Sequence, residues 1–366
     1  SKTNNEDLAR YQETKRVARV LRVDVSTPLD SLGMQDATLD LPNQIERSAD
    51  EARQLAGLPS ASTVNQVVVL GMGGSGIAGD IVEAVASPQM TIPMVVSKGY
   101  ECPNFVGPKT LVIAASFSGE TEETIEAAST AHERGAQICA VTCGGTLARL
   151  VAEWSAVLCQ VDSAIPMPRC AVGAMSIPLL VAFDRIGLIT GVDKQIEDAI
   201  ATLRLRCDSI QDGTDVSKQI AKAIGSGTPL IYGGGKIGEV AAARFKNQIN
   251  ENSKSPAFFN SLPEMCHNEM AGWGTVDSLR DLNLVPVHLR HSYEHPRLAK
   301  RFEFNETLIA ESGSITGVQA QGRTPLAQLF DLILVGDQTS LELAALHEQD
   351  PGPIDVLTEL KQQLSR

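Results

Sequence analysis

Residues 67–76 read Val-Val-Val-Leu-Gly-Met-Gly-Gly-Ser-Gly, a short apolar run that passes directly into a glycine-rich turn. The next stretch, 77–85, has apolar residues at helical spacing. The segment therefore predicts a strand, a tight glycine loop and a helix. Because the strand is apolar along its whole length, it is expected to be buried on both faces, as in a parallel sheet covered by helices.

The same pattern recurs along the first half of the chain. Helical segments and turn residues separate further apolar runs of strand length, at 94–97, 110–115, 138–142 and 156–160. This alternation predicts a doubly wound α/β domain with a parallel sheet. Residues 171–226 show helical periodicity and few strand signals, so they are predicted to be linking helices.

A second glycine loop, Gly233-Gly234-Gly235-Lys236-Ile237-Gly238, follows the apolar run 229–232 and opens the helical stretch 239–249. Its glycines have the same offsets as those at 71, 73 and 76, and 233 − 71 = 162 residues separate the two loops. An internal duplication is the economical interpretation. Later strands are expected at 284–289 and 332–335, and a C-terminal helix at 354–364.

The predicted fold class is α/β, with two tandem doubly wound parallel-sheet domains and a helical N-terminal segment. Pro59-Ser60-Ala61-Ser62 marks the end of that segment. The predicted boundaries are 1–62 for the helical N-terminal segment, 63–190 for the first domain, 191–226 for a helical linker, and 227–366 for the second domain with its C-terminal helix.

Composition excludes several classes of protein. The 366 residues are 43% hydrophobic, and 44 acidic against 31 basic residues give a formal charge of −13, a field that repels nucleic acid. Apolar runs fall far short of the roughly 20 residues that cross a bilayer, and the N-terminus has no apolar signal segment, so no membrane partner is expected. Seven cysteines, scattered without a CxxC pair, favour a reduced, cytoplasmic protein.

The first glycine loop also fits the G-x-G-x-x-G pattern of dinucleotide-binding enzymes. A nicotinamide site needs an acidic residue about 20 positions further on, and 91–98 contains none, although Lys98 there would suit a 2′-phosphate. In the second loop Ile237 stands where a P-loop has Ser or Thr, which disfavours a nucleotide hydrolase. A purely structural turn explains the second loop equally well.

The turn Ser116-Phe117-Ser118-Gly119-Glu120-Thr121 lies between a buried strand and a predicted helix at 122–134. Unpaired N–H groups at a helix N-terminus favour an anion, and small hydroxyl side chains add donors without bulk. Ser75, in the first glycine loop, is expected to approach from the neighbouring strand. Helix capping explains one hydroxyl but not the whole set, so the turn predicts a phosphate site.

These two motifs, 71–76 and 116–124, resemble the sugar isomerase (SIS) domain, a phosphosugar-binding α/β module that often occurs in tandem. Pro168-Arg169 and the segments 246–254 and 262–269 are similar to the bifunctional phosphoglucose/phosphomannose isomerases of the phosphoglucose isomerase superfamily. The resemblance runs from about residue 30 to 361.

The resemblance implies an aldose–ketose isomerase that interconverts fructose 6-phosphate with glucose 6-phosphate through an enediolate. Mannose 6-phosphate as a further substrate stays open at this point. The reaction needs a carboxylate to carry a proton between C1 and C2, and Glu251 is the candidate, although alone it would be interpreted as a solvated helix-end residue. Arg169 would stabilise the enediolate, whereas His267 and Lys361 would open the sugar ring.

The resemblance assigns phosphate binding to Gly74, Ser75, Ser116, Ser118 and Thr121. It implies no cofactor and no metal; a zinc site at His267 is disfavoured because no second histidine stands at ligand spacing. It also implies a homodimer whose active site is shared, with His267 reaching across from the partner subunit. Glu264, three residues before His267, is expected either to orient the ring or to be a surface charge, and Glu269 is expected to be a surface charge.

Two alternatives stay open. One is a non-catalytic phosphosugar-binding regulator, which would have no use for a base and a ring-opening histidine. The other is an isomerase for another phosphosugar on the same scaffold.

Overall fold

The computed structural model of the chain describes residues 29–273, 282–310 and 315–364, apart from the side chains of Ala310 and Lys361. The helical prediction for residues 1–28 lies outside the described residues. The first helices described are α1 (Met34–Leu39) and α2 (Leu41–Ala52), and a short 3₁₀-helix, Ala61–Thr63, precedes the first strand.

The first half contains a five-stranded parallel sheet in the order β2-β1-β3-β4-β5. Its strands are β1 (Gln66–Gly71), β2 (Met94–Ser97), β3 (Thr110–Ala115), β4 (Gln137–Thr142) and β5 (Val157–Gln160). The helices between them are α3 (Gly73–Ala86), α4 (Glu122–Glu133) and α5 (Gly145–Glu153). All five predicted strands are present, and β3 is buried at every position.

A helical segment follows, in which the 3₁₀-helix Pro168–Cys170 leads into α6 (Val172–Ile186), α7 (Val192–Gln211) and α8 (Ser217–Ile224). The second half has a four-stranded parallel sheet in the order β7-β6-β8-β9. Its strands are β6 (Thr228–Gly234), β7 (Phe258–Leu262), β8 (Leu284–Arg290) and β9 (Thr316–Gln319). Its helices are α9 (Gly235–Asn252), α10 (Met270–Trp273), α11 (Pro296–Ala310), α12 (Pro325–Leu346) and α13 (Asp355–Leu364), with a 3₁₀-helix at Glu264–His267.

The two halves repeat one design around their glycine loops. Strands β1 and β6 hold the same second place in their sheets, and each passes directly into a helix. The first helical glycine has positive φ in both, 51° at Gly73 and 61° at Gly235. A Cβ on Gly76 would lie 2.8 Å from the Gly71 carbonyl oxygen, and one on the equivalent Gly238 would lie 2.8 Å from the Gly233 carbonyl carbon. These close approaches require glycine at equivalent places, which supports the duplication.

The strand predicted at 332–335 is wrong, because these residues lie inside α12. That helix packs against α7, α8 and α9 and is buried on nearly every side, so its apolar residues show no periodic polar face. A short, wholly apolar run does not distinguish a buried helix from a buried strand. The fourth strand of the sheet is instead β9, of whose residues only Val318 is buried.

Candidate active site

The glycine loop and the hydroxyl turn meet at the carboxyl ends of adjacent strands. Strands β1 and β3 pair in parallel, and the Phe117 N–H donates to Ser75 Oγ over 3.1 Å. Ser75 is 6% exposed, and because its oxygen accepts this bond, its proton remains available for another acceptor. The predicted approach of Ser75 from the neighbouring strand is thus seen.

Within the hydroxyl turn, the serines and the threonine have different surroundings. Ser116 is fully buried, where its Oγ accepts from the Gly119 N–H and lies 2.8 Å from Thr121 Oγ1. Ser118 is exposed, and its Oγ accepts from the Glu120 N–H. Thr121 precedes α4 but makes no side-chain capping bond, so capping does not account for its hydroxyl. The first N–H groups of α4 have no helical acceptor and face this turn.

Thr124 is a hydroxyl residue that sequence reasoning missed. It lies in the first turn of α4 and is 1% exposed, and its Oγ1 has no hydrogen-bond partner among the described residues. Buried hydroxyls are rarely left unpaired. The signal was present, because Thr124 ends the same hydroxyl-rich run that contains Ser118 and Thr121.

Gly74 brings the loop against the segment that carries Arg169. A Cβ at Gly74 would lie 3.4 Å from the Pro168 carbonyl oxygen and 3.5 Å from Arg169 Cα. These are ordinary van der Waals distances, so Gly74 packs directly beside the backbone of the Arg169 segment. Arg169 therefore lies next to the first glycine loop in space, although 95 residues (169 − 74 = 95) separate it from Gly74 in sequence.

The Arg169 side chain is 2% exposed and has only neutral hydrogen-bond acceptors. Nε donates to Asn252 Oδ1 over 2.7 Å, and NH2 donates to the carbonyl oxygens of Pro351 and Gly352. NH1 has no hydrogen-bond partner among the described residues and lies 3.6 Å from Glu251 Oε2. Burial lowers the pKa of the guanidinium, and the Glu251 carboxylate acts in the opposite direction.

Glu251 lies one residue before the end of α9, with 30% of its side chain exposed. Its carbonyl oxygen accepts from Lys254 Nζ, which also donates to Pro351 O over 3.3 Å. Burial, followed by the charge of Arg169, lowers the pKa of Lys254. Glu251 is therefore a partly shielded carboxylate beside two cations rather than an isolated solvated residue. Lys254, in the run 246–254, is a further residue at the site that the sequence did not single out.

His267 stands apart from this cluster. It is exposed at the end of the 3₁₀-helix after β7 and makes no hydrogen bond or ion pair with any described residue. The expected orientation of its ring by Glu264 is not present, because Glu264 Oε1 accepts from Asn268 Nδ2 instead. Glu269 accepts from Tyr232 Oη and from Asn260 Nδ2, so it is a structural residue rather than a free surface charge.

Helix α13 borders the hydroxyl turn. A cavity of about 420 Å³ lies between Ser118, Thr121 and the acidic start of α4 on one side and leucines 357, 360 and 364 of α13 on the other. Its volume suits a small-molecule ligand. Lys361 belongs to α13, but its side chain lies outside the described residues.

The second glycine loop is closed by a carboxylate of the chain itself. Glu294, 7% exposed, accepts from Arg290 Nε and NH2 and from the His291 N–H. A Cβ at Gly234 would lie 3.2 Å from the Glu294 carboxyl carbon. Because this loop already has a negative group against it and lacks a counterpart of Ser75, the first loop is the better place for a phosphate.

Four further observations on the described residues concern a dinucleotide site, a metal site, a membrane span and the cysteines. Lys98 pairs with Asp80, so it is not free for a 2′-phosphate. The described residues contain no cluster of three or more His, Cys, Asp or Glu side chains arranged to hold a metal ion. None of the described helices combines the length and apolar character needed to span a bilayer. All seven cysteines are free thiols, five of them buried.

Comparison with protein families matches both halves of the chain. Residues 62–153 match the SIS domain, and residues 214–364 match the bacterial phospho-glucose isomerase C-terminal SIS domain. Among solved structures, the tagatose-6-phosphate ketose/aldose isomerase of Escherichia coli aligns with a TM-score of 0.62 at 16% identity, covering 88% of this chain and 95% of its own. The C-terminal domain of a Francisella tularensis glucosamine-fructose-6-phosphate aminotransferase gives 0.63 at 16% identity, covering 87% and 98%. The fold and the loops thus define a tandem SIS-domain protein.

Curated relatives narrow this class. The bifunctional phosphoglucose/phosphomannose isomerase of Caldicellulosiruptor bescii is 36% identical over 91% of this chain and 99% of its own, and that of Aquifex aeolicus is 32% identical over 82% and 90%. A D-glucosamine-6-phosphate 4-epimerase of Sulfolobus acidocaldarius is 30% identical over 58% of this chain and 65% of its own. The chain belongs to the bifunctional phosphoglucose/phosphomannose isomerase family.

Proposed function

We propose that this chain is an aldose–ketose isomerase that interconverts fructose 6-phosphate with glucose 6-phosphate and mannose 6-phosphate without a metal ion. The observation that carries the proposal is the free NH1 of buried Arg169, 3.6 Å from Glu251 and behind the hydroxyl-lined loop. The reaction requires a cation with a free hydrogen-bond donor, a partly shielded base and an anion site.

The substrate phosphate binds at the start of α4 in this proposal. Ser75, Ser118 and Thr121 donate hydroxyl hydrogen bonds, and Gly74 leaves its backbone N–H open to the anion. Ser116 holds the turn through its bond to Thr121. The helix dipole adds to the attraction, and several donors together select a dianion over a neutral group.

Glu251 takes the proton from C2 of the aldose, which leaves an enediolate with its negative charge on O1. The proton of the O2 hydroxyl then moves to O1, and Glu251 returns its proton to C1, so that C2 becomes the carbonyl carbon of the ketose. Arg169 NH1 stabilises the negative oxygen that forms as the C–H bond breaks. Glucose 6-phosphate and mannose 6-phosphate differ only in configuration at C2, so both give the same enediolate. One base and one cation therefore serve both substrates when the enediolate turns so that either face of C2 is presented to Glu251.

His267 and Lys361 open the sugar ring, and His267 comes from the second subunit of a homodimer. Two features support a shared site: His267 is exposed and without a partner among the described residues, and the edge strand β7 just before it exposes Phe258 (57%) and Phe259 (40%). Exposed aromatic residues on a sheet edge are an association surface unless something covers them. The seven free thiols favour a reducing, cytoplasmic location.

The domain boundaries at 63–190, 191–226 and 227–366 remain part of the proposal. The relationship to a 4-epimerase keeps another phosphosugar reaction on the same scaffold as the second candidate. A phosphosugar-binding regulator is the third.

One assay separates these candidates. Purified protein, treated with a chelator, is incubated with fructose 6-phosphate, and glucose 6-phosphate and mannose 6-phosphate are quantified separately. Formation of both products supports the proposal. Binding of fructose 6-phosphate without turnover favours the regulator, whereas turnover of glucosamine 6-phosphate alone favours the epimerase.

A further inference from the structure

We infer that Asn252 is a positioning residue that fixes the Arg169 side chain without placing a second carboxylate, besides Glu251, against its guanidinium. This inference rests on the proposed function. Asn252 is the last residue of α9, next to Glu251, and is 1% exposed. Its Oδ1 accepts from Arg169 Nε over 2.7 Å.

The orientation of the Asn252 amide is set by a chain of hydrogen bonds with one direction. Ser340 Oγ lies 2.6 Å from the Asp337 carbonyl oxygen, which only accepts, so the single hydroxyl proton is used there. Ser340 Oγ must therefore accept from Asn252 Nδ2, at 2.8 Å. With Nδ2 engaged, Oδ1 faces Arg169. A flipped amide would place two N–H donors against the guanidinium and lose both bonds.

Because the Asn252 side chain is neutral, it binds Arg169 without offsetting the positive charge of the guanidinium. Buried cations are commonly paired with a carboxylate, which cancels the charge that catalysis could use. The buried carboxylate of Asp337 is instead bound by Arg244 through Nε and NH2, at 3.1 and 2.6 Å. Arg244 NH2 also donates to the Arg169 carbonyl oxygen over 2.7 Å, so it holds the Arg169 backbone. Arg169 is thus fixed at both ends without a carboxylate on its Nε.

The arrangement joins three separate elements. Arg169 lies just before α6, Asn252 ends α9, and Asp337 and Ser340 lie one turn apart on α12. Because each partner is buried, the guanidinium has little freedom to move away from Glu251. Asn252 therefore keeps NH1 directed at the reacting oxygen. Because its amide is neutral, it does not offset the positive charge of the guanidinium.

The test is Asn252→Asp, which changes the charge but hardly the shape. The carboxylate would pair with Arg169 and compete with the enediolate for its charge. We expect kcat for fructose 6-phosphate to fall about 100-fold, while KM changes less than about twofold because the phosphate loop is untouched. Affinity for a phosphosugar hydroxamate, which mimics the enediolate, should fall in parallel with kcat.

Asn247→Asp is the matched control, since it adds the same charge to the same helix at a side chain whose hydrogen bond is to Lys246. It should leave kcat unchanged. Ser340→Ala is a second variant, which releases Asn252 Nδ2 and should lower kcat about fivefold. It decides the question if Asn252→Asp does not fold.

Wild-type kcat in the Asn252→Asp protein, or equal losses of affinity for fructose 6-phosphate and for the hydroxamate, would overturn the role of Asn252. An inactive wild-type protein would instead refute the proposed function. The two failures are therefore distinguishable.

Discussion

Arg169 NH1 and Glu251 Oε2 lie 3.6 Å apart, close enough for mutual attraction but without a hydrogen bond between them. A direct bond would satisfy both groups and leave neither for a ligand. The separation arises because Asn252, Pro351 and Gly352 hold the other nitrogens of the guanidinium. A substrate oxygen can bind the free nitrogen while Glu251 meets an adjacent carbon.

Ser118→Ala tests the phosphate site with little disturbance of the fold, because Ser118 is exposed and its side chain hydrogen-bonds, among the described residues, only to the nearby Glu120 N–H. Loss of one hydroxyl donor to a charged group should raise KM for fructose 6-phosphate about tenfold and leave kcat nearly unchanged. Steady-state kinetics measures both. Ser129→Ala, on the same helix but bonded only to the Ile125 carbonyl, is the control. An unchanged KM in Ser118→Ala would remove Ser118 from the phosphate site.

Mixed dimers test whether His267 acts across a subunit interface. Glu251→Gln and His267→Ala homodimers should each be nearly inactive. Refolded together in equal amounts, they should recover about a quarter of wild-type activity, since half the dimers are mixed and each has one intact composite site. Absence of recovery, with mixed dimers shown to form, would mean that both residues act within one subunit.

Arg206 is predicted to be essential for stability. It is buried and bound to both Asp331 and Asp215 at 2.8 and 2.9 Å. Arg206→Ala leaves two buried carboxylates unpaired, so the free energy of unfolding should fall by about 3–5 kcal/mol. Arg204→Ala, two residues earlier in an exposed pair with Glu46, should cost less than about 1 kcal/mol. Urea unfolding compares them, and equal losses would contradict the importance of burial.

Thiol reactivity should follow burial. Desolvation raises the pKa of Cys170 to about 12 and that of Cys207 to about 11. The thiolate is the reactive form, so at pH 8 alkylation of these two cysteines should be slow and should accelerate as pH rises towards those values. Cys266, one of two partly buried thiols, should react before Cys170 and Cys207. Mass spectrometry of iodoacetamide-treated protein reports the order, and early labelling of Cys170 would contradict the buried environment.

The sequence allowed prediction of features whose chemistry is local. Both glycine loops need small residues at fixed offsets, and the hydroxyl turn of Ser116, Ser118 and Thr121 directly follows a recognisable strand, so all were predictable. The helical conformation of residues 332–335 could not be predicted, because the helix that contains them is apolar on nearly every face and shows no helical periodicity.

Long-range partners were also beyond prediction from the sequence. Asn252 binds Arg169 although 83 residues separate them in the sequence. Pro351 and Gly352, which also bind Arg169, are 182 and 183 residues from it. The contact of Glu294 with the second glycine loop depends likewise on the pairing of β8 with β6. No local pattern specifies such contacts, because they are set by the packing of separate elements.

In the proposed reaction Glu251 carries the proton between C2 and C1. Glucose 6-phosphate is incubated in D₂O with wild-type protein and with Glu251→Gln, and deuterium at C2 is followed by NMR, alongside calorimetric binding of fructose 6-phosphate. We predict exchange with the wild type, a loss of at least about 1,000-fold in Glu251→Gln, and binding that is nearly unchanged. Exchange in Glu251→Gln at the wild-type rate would contradict the account.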